Sequence, residues 1–268
     1  EVDEAYIAAC NAQGFYPAAY YPHNIHFLWS ASTMQGQSAL SIDSARRVVE
    51  NVRVEQVKAF PTIEFFRTVP LLSLVRFAKW DEILAEPQPH EEFMFARSVW
   101  HYARGVAYAA KGQPEQAAAE LALLEPLKDD VSVRFLDSRD YPGSALVGIA
   151  IHLLHGEMAY RSGEFAQAAG HFEQAVLAQD QLPYTEPPFW YYPTRQSLGA
   201  ALAADGKHAE AEAVFRKDLQ QYPHNGWSMF GLAQSLTAQG KTEEAAKAQM
   251  HFEAIWQFAD VELTASIL

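Results

Sequence analysis

Apolar residues recur along this chain at positions i, i+3, i+4 and i+7, in segments that short polar turns separate. This spacing is that of an amphipathic α-helix, whose apolar side faces a core. No segment alternates apolar and polar residues for long enough to indicate a β-strand. The pattern therefore predicts an all-α protein.

Glycine and alanine recur at a fixed distance within this helical pattern. Gly206 and Gly240 are 34 residues apart, and Ala211 and Ala245 are separated by the same distance. A period of 34 residues is typical of the tetratricopeptide repeat, a hairpin of two antiparallel helices. The glycine suits the left-handed conformation that ends the first helix, and the small alanine lets the second helix approach closely. We therefore predict a right-handed α-solenoid of about six such hairpins.

The whole chain, residues 1–268, is expected to form one solenoid, in which residues 1–90 are divergent hairpins and residues 91–268 are clearer repeats. Residues 1–13 already have the pattern of an amphipathic helix, so we expect the chain to be part of a longer array. The uncapped N-terminal end is then expected either to fray or to form a homodimer, because terminal repeats expose the apolar side that a neighbour would cover.

Individual helices and loops follow from the turn-forming residues. In the first third we expect helices at residues 22–35, 37–52, 62–78 and 80–85. Two stretches rich in Asp and Pro are expected to be loops on one side of the solenoid, at residues 129–142 and 180–189.

Composition and charge narrow the classes of partner. The chain is 49% hydrophobic, which is typical of a folded protein. Its formal net charge is −13, and this negative charge disfavours binding to nucleic acid or to an anionic membrane. It has no apolar run of about 18 residues, so no membrane insertion is expected. Cys10 is the only cysteine, which excludes an internal disulfide, and it is expected to be a buried small residue. The compartment, cytoplasmic or exported, stays open.

Several stretches resemble large bacterial tetratricopeptide-repeat proteins. They are residues 20–29 (Tyr-Tyr-Pro-His-Asn-Ile-His-Phe-Leu-Trp), residues 100–105, residues 186–199 and the closing part from residue 225. The resemblance spans nearly the whole chain. It implies a repeat array of a family without an assigned activity, many members of which look exported.

The turn glycines predict which first-helix residues line the concave groove of the solenoid. These positions are mostly apolar or aromatic: His23, His26, Ser30, Thr33, Val99, Tyr102, Val106, Ala150, Leu153, Glu157, Tyr160, Gln196, Trp227, Phe230 and Gln234. Such a groove suits a peptide or a hydrophobic ligand. In the alternative interpretation, loops or a capping helix of the chain itself fill the groove.

His23 and His26 are three residues apart at the start of one helix, so both imidazoles can face one ligand. Two ligands are too few for a zinc site. The helix dipole favours neutral imidazoles there, which together with Asn24 could orient the carboxylate end of a peptide or an acidic ligand. In the alternative, the two histidines only form hydrogen bonds in a polar groove. His152 and His155 repeat the spacing and are expected in the core.

The segment at residues 186–193, here called the aromatic segment, has the sequence Glu-Pro-Pro-Phe-Trp-Tyr-Tyr-Pro. It is either an anchor for a ligand or a plug that seals the gap between two hairpins. No nucleophile motif and no phosphate-binding glycine loop is present, and no cofactor is predicted.

The leading hypothesis is a protein-interaction module that binds a peptide or partner protein in the concave groove. The alternative is a small-molecule- or metal-binding enzyme fragment centred on His23, Asn24 and His26, and a pure scaffold is a third. The candidate ligand-binding residues are His23, Asn24, His26, Trp29, Tyr102, Glu157, Tyr160, Trp190, Tyr191, Arg195, Trp227 and Phe230.

Overall fold

The computed structural model describes residues 21–50 and 52–268, together with Ala5 and Ala9. The expectations for residues 1–13, including Cys10 and the N-terminal dimer contact, lie outside these residues except at Ala5 and Ala9.

Throughout the described part the regular structure is helical, with no strand. The α-helices are α1 (Tyr21–Met34), α2 (Ser38–Glu50), α3 (Val54–Ala59), α4 (Val69–Arg76), α5 (Trp80–Ala85), α6 (Met94–Ala110), α7 (Pro114–Leu124), α8 (Val131–Asp137), α9 (Gly143–Arg161), α10 (Phe165–Asp180), α11 (Arg195–Ala204), α12 (His208–Gln221), α13 (Gly226–Ala238) and α14 (Thr242–Trp256).

Five pairs of these helices form antiparallel hairpins: α1–α2, α6–α7, α9–α10, α11–α12 and α13–α14. Each pair turns at a glycine with positive φ, at Gly36, Gly112, Gly163, Gly206 and Gly240. Successive hairpins pack on one another, with α6 against α9, α10 against α11 and α12 against α13. The prediction of an all-α solenoid of helical hairpins is confirmed.

Small residues bring these helices close together. Phe215 on α12 lies between Gly199 on α11 and Gly231 on α13. A Cβ atom on either glycine would come within 2.4 Å of its ring. One buried ring thus joins the two helices of one hairpin to the first helix of the next.

The region before α6 departs from the prediction. Residues 62–78 do not form one helix; a 3-10 helix, Pro61–Thr68, runs into α4. Pro70 lacks an N–H and fits only in the first turn of a helix, so the α-helix starts anew beside it. The short helix α3 was not predicted.

The stretch at residues 129–142 is not a plain loop, because it contains α8. Asp130 is the N-cap residue just before this helix, and its side chain accepts a hydrogen bond from the backbone N–H of Ser132 at 2.7 Å. Such a cap stabilises a short helix that the turn-forming residues had concealed.

Helix α4 fills the centre of the concave side. All eight of its residues are buried, as expected for a helix that the rest of the protein surrounds. It packs against α2 and α6. Its last residue, Arg76, reaches further, with its guanidinium 3.6 Å from the ring centre of Trp227 on α13 and hydrogen-bonded to the side chain of Gln196 on α11.

The first hairpin also touches the last. The carboxylate of Asp260, just beyond α14, accepts hydrogen bonds from the backbone N–H groups of Ser38 (2.6 Å) and Ala39 (2.9 Å) at the start of α2. The indole of Trp227 donates to the backbone oxygen of Thr33 at 3.2 Å. The array therefore curls until its first and last described hairpins meet.

This closure generates a prediction about two turn glycines. Gly36 and Gly112 have nearly the same φ, 70° and 69°. A Cβ on Gly36 would lie 2.3 Å from the ring of Trp256, whereas one on Gly112 would meet nothing within 4 Å. We expect Gly112→Ala to lower the free energy of unfolding by about 1 kcal/mol through backbone strain alone. Gly36→Ala should lower it by a further 1–3 kcal/mol, roughly, because the added methyl overpacks the contact between the two ends.

Urea denaturation of both variants tests this, with Gly112→Ala as the matched control. Equal losses in the two variants would mean that the contact between the first and last hairpins does not form in solution.

Candidate functional site

The chain itself fills most of the predicted groove. Tyr102, Glu157 and Trp227 are 2%, 8% and 0% exposed. Three parts of the chain cover the concave side: α4, residues 181–194, and residues 257–268, here called the C-terminal segment. Over the centre of the groove the alternative interpretation therefore applies, because α4 and the aromatic segment bring enough apolar side chains to occupy it.

The aromatic segment acts as a plug. Trp190, Tyr191 and Tyr192 are all buried. The hydroxyl of Tyr191 forms a 3.1 Å hydrogen bond with that of Tyr102 on α6, and the hydroxyl of Tyr192 forms a 2.8 Å hydrogen bond with Ser197 on α11. Burial raises the pKa values of Tyr102 and Tyr191 well above their ordinary value, so both phenols stay protonated.

Arg195 holds the base of this plug. Its guanidinium is buried and donates to the carboxylate of Asp180, at the end of α10, over 2.5 Å. The side chain of Gln179 donates a hydrogen bond to the backbone oxygen of Tyr192 (3.0 Å) and accepts one from the backbone N–H of Thr194 (2.8 Å). In this structure Arg195 therefore serves the fold.

The other side of the plug borders a pocket of about 180 Å³, here called the histidine pocket. Helix α1, the 3-10 helix at Pro61–Thr68, α4, α6 and the loop before α11 supply its walls. The lining residues are His23, His26, Trp29, Phe65, Thr68, Val69, Leu72, Phe95, Val99, Tyr141, Thr185, Glu186, Pro187, Pro188, Phe189 and Trp190. Two features that the sequence marked separately, the α1 histidines and the aromatic segment, thus meet at one place.

His26 lies inside a box of aromatic rings. It stacks on Trp29, with 5.0 Å between ring centres, and it also contacts Phe65 (5.5 Å) and Phe66 (5.4 Å). Burial, and to a lesser extent the neighbouring His23, lowers the pKa of His26 to about 3. The imidazole is therefore neutral at pH 7, and burial is the main cause rather than the helix dipole.

Two residues in the wall of the histidine pocket carry polar groups that bond to no other described residue. The indole Nε1–H of Trp190 is fully buried and has no acceptor there. His26 is 7% exposed as a residue, and no hydrogen bond joins its imidazole to the described part of the chain. Unpaired buried polar atoms are rare in folded proteins, so each one requires an explanation.

The other α1 candidates are less enclosed. His23 is exposed at the rim of the histidine pocket, where its ring meets Phe27 edge-on at 4.8 Å. Asn24 is exposed and does not line the pocket. Sequence reasoning missed Phe65 and Tyr141 as pocket residues, and it included Phe189 only as part of the aromatic segment. The only available hint for Phe65 and Tyr141 was that prolines lie close to both.

The remaining candidates lie toward the C-terminal end of the solenoid. Phe230 is half-buried against Phe252, with 5.1 Å between ring centres, and Tyr160 meets Phe165 at 5.4 Å. Buried Glu157 pairs with Arg161 at 3.3 Å, and burial raises its pKa.

The C-terminal segment crosses three successive first helices here. The side chain of Gln234 on α13 donates to the backbone oxygen of Thr264 at 3.3 Å. Ser266 donates to the backbone oxygen of Gln196 on α11 at 2.8 Å, and Arg161 on α9 donates to the backbone oxygen of Leu268 at 2.6 Å. Tyr160, Gln196 and Gln234 are predicted groove positions, so this segment lies in the last part of the groove.

The histidines that were expected in the core lie elsewhere. His152 and His155 are only partly buried; His155 stacks on His171 with 4.9 Å between ring centres and lies 3.3 Å from the carboxylate of Glu125. Within the described residues, no group of three or more His, Cys, Asp or Glu side chains is placed to hold a metal ion. In the same part of the chain, no helix has the length and hydrophobicity to cross a membrane.

Comparison with known families identifies the repeats. Two family models of the tetratricopeptide repeat match the chain, one over residues 202–248 and one over residues 99–122. The first match begins in α11 and ends in α14, and the second lies in α6 and α7. The chain therefore contains tetratricopeptide repeats, a class of helical hairpin that typically binds peptides or proteins. No curated protein matches the chain, and the finer resemblance to large bacterial proteins stays a prediction.

The neutral, buried His26 predicts a pH dependence of stability. The unfolded chain binds a proton at His26 below a pKa of 6.5, whereas the folded chain does so only near pH 3. The free energy of unfolding should therefore fall as the pH drops between these values, by up to about 1.4 kcal/mol per pH unit from this group. His26→Leu removes the titrating group, so this part of the dependence should disappear.

Denaturation of the wild type and of His26→Leu at pH 7.5, 6.5 and 5.5 measures the difference, which cancels the contribution of other groups. His251→Leu, an exposed change on α14, is the control and should follow the wild type. Parallel curves for the wild type and His26→Leu would contradict the burial of His26.

Proposed function

We propose that this protein is an interaction module in which the groove across α9, α11 and α13 binds a peptide of a partner protein. In this structure the C-terminal segment of the same chain occupies this groove. The proposal is based on the three hydrogen bonds that join this segment to the first helices of three successive hairpins, α9, α11 and α13.

The contacts of the C-terminal segment support peptide recognition. Two of the three hydrogen bonds go to its backbone oxygens, at Thr264 and Leu268, and the third comes from the hydroxyl of Ser266. Ser266 is 1% exposed and Ile267 is 8% exposed. Backbone contacts provide affinity and a buried side chain provides selectivity, as in other modes of peptide binding.

The groove also has room beside this segment. A cavity of about 530 Å³ borders Thr264, Ala265 and Ser266, and its lining also includes Tyr160 and Gln234. A partner peptide with a small hydroxyl residue followed by an aliphatic one would reproduce the resident contacts and gain this additional surface.

Competition between the resident segment and an added peptide provides the test. The probe is a fluorescein-labelled, C-terminally amidated peptide with the sequence of residues 261–268, Val-Glu-Leu-Thr-Ala-Ser-Ile-Leu. In the wild type the tethered segment has an effective concentration in the range of mM, roughly, so it should exclude the probe. The double variant Ser266→Lys/Ile267→Lys should release the segment, because buried ammonium groups near Arg161 are unfavourable.

Fluorescence anisotropy should then show binding of the probe to the released variant at least about tenfold tighter than to the wild type. Within the released background, Arg161→Leu and Gln234→Leu should each weaken binding. Arg134→Leu, an exposed change on α8, should not. A released variant with an intact helical spectrum and no affinity for the probe would refute the proposal, as would equal binding by the wild type.

A further inference from the structure

The histidine pocket contains hydrogen-bonding capacity that the protein does not use. Both His26 and Trp190 line it; the indole Nε1–H of Trp190 is fully buried without an acceptor, and the imidazole of His26 forms no hydrogen bond with another described residue. A buried polar atom without a partner is costly, and a bound ligand that supplies the partner removes this cost. This pocket is separate from the groove that the C-terminal segment occupies.

The size of the histidine pocket limits what it can hold. Its volume is about 180 Å³. An apolar cavity of about 150 Å³ binds one benzene molecule, whereas sites for drug-sized ligands measure roughly 300–1,000 Å³. The pocket therefore has room for one ring and its substituent.

The walls of the histidine pocket favour a flat ligand. His26 stacks nearly parallel to Trp29, at 13°, and Phe65 stacks nearly parallel to Tyr141, at 14°. Aromatic faces and edges at these positions provide stacking and edge-to-face contacts for an inserted ring.

The charges at the histidine pocket favour a neutral ligand. Its described lining residues include one carboxylate, Glu186, and no lysine or arginine. An anionic group would therefore lose its hydration without gaining a charged partner. A neutral hydroxyl satisfies both free groups, because it can donate to a nitrogen of His26 and accept from the indole of Trp190.

We propose that the histidine pocket binds a single uncharged aromatic ring that carries a hydroxyl group. The shared chemistry is that of a phenol, which occurs both as a free small molecule and as the tyrosine side chain of a partner peptide. His26 and Trp190 bind the hydroxyl, while Trp29, Phe65 and Tyr141 contact the ring.

Three matched probes test the chemistry by isothermal titration calorimetry: p-cresol, toluene and 4-methylbenzoate. They share one ring and one methyl group and differ in the polar group. We expect p-cresol to bind about tenfold more tightly than toluene, the value of one good hydrogen bond, and 4-methylbenzoate not to bind. Equal affinity for p-cresol and toluene, or tighter binding of the carboxylate, would overturn the proposal.

Variants then assign the contacts. His26→Leu should weaken p-cresol binding about tenfold and leave toluene binding unchanged, because it removes the polar group and keeps the bulk. Trp190→Phe should also weaken p-cresol binding, because it removes the indole N–H. His251→Leu is the matched control and should bind both probes as the wild type does. Unchanged affinity for p-cresol in a folded His26→Leu variant would show that the imidazole is not a contact.

A capped pentapeptide, acetyl-Gly-Gly-Tyr-Gly-Gly-amide, distinguishes the two sources of the ring. Binding of the peptide as tight as that of p-cresol identifies a tyrosine of a partner, and binding of p-cresol alone identifies a free phenol. If neither binds, the proposal is wrong, whereas the peptide-binding proposal for the C-terminal groove is unaffected.

Discussion

The centre of this protein depends on one buried cation. The guanidinium of Arg76, at the end of α4, lies 3.6 Å from the ring centre of Trp227 and 4.9 Å from that of Tyr192, and it donates a hydrogen bond to the side chain of Gln196. Burial lowers its pKa to about 10, so the group still carries its charge at pH 7. Removing a charge from water is costly unless other groups replace the hydration. Here two aromatic faces, each worth about 2 kcal/mol when desolvated, and one amide oxygen replace part of it.

This interaction joins parts of the chain that are far apart in sequence. Arg76 belongs to α4, Tyr192 to the aromatic segment, Gln196 to α11 and Trp227 to α13. Once these four are in contact, α4 cannot leave the concave side without exposing the cation's aromatic partners. The filled centre separates the two proposed binding regions, the histidine pocket on the α1 side and the groove under the C-terminal segment on the other.

Local features could be predicted from the sequence, and contacts between distant segments could not. The turn glycines, such as Gly206 and Gly240, follow from a conformation that a single residue imposes on the backbone, and all five have positive φ. The sequence contains no such signal for the hydrogen bond between the indole of Trp227 and the backbone oxygen of Thr33, which are 194 residues apart. A contact between one side chain and one distant backbone oxygen produces no periodic pattern in the sequence.

The same distinction applies to the candidate site, whose individual residues could be predicted but whose assembly could not. His26 and Trp190 were named for local reasons, a helix start and an aromatic run, but their common pocket depends on how α1 packs beside the aromatic segment. Phe65 was missed, although a helix was expected at residues 62–78, because no turn glycine follows that stretch from which its groove positions could be counted. Tyr141 was missed because it lies in an irregular stretch.

Of the three parts that fill the concave side, the C-terminal segment is the one that the proposed partner peptide would displace most readily. The aromatic segment buries three large side chains, Trp190, Tyr191 and Tyr192, each of which removes roughly 150–250 Å² from water. At about 25 cal/mol per Å², each contributes about 4–6 kcal/mol before the entropy of ordering is counted. The C-terminal segment buries one aliphatic side chain, Ile267, worth about 1.5–3 kcal/mol, and forms three groove hydrogen bonds worth about 0.5–1.5 kcal/mol each. Ordering costs about 1–2 kcal/mol per residue in either segment, so the C-terminal segment has the smaller gain to set against this cost. Helix α4 and the aromatic segment are therefore held more firmly than the end of the C-terminal segment, which is the part that the proposed partner peptide would replace.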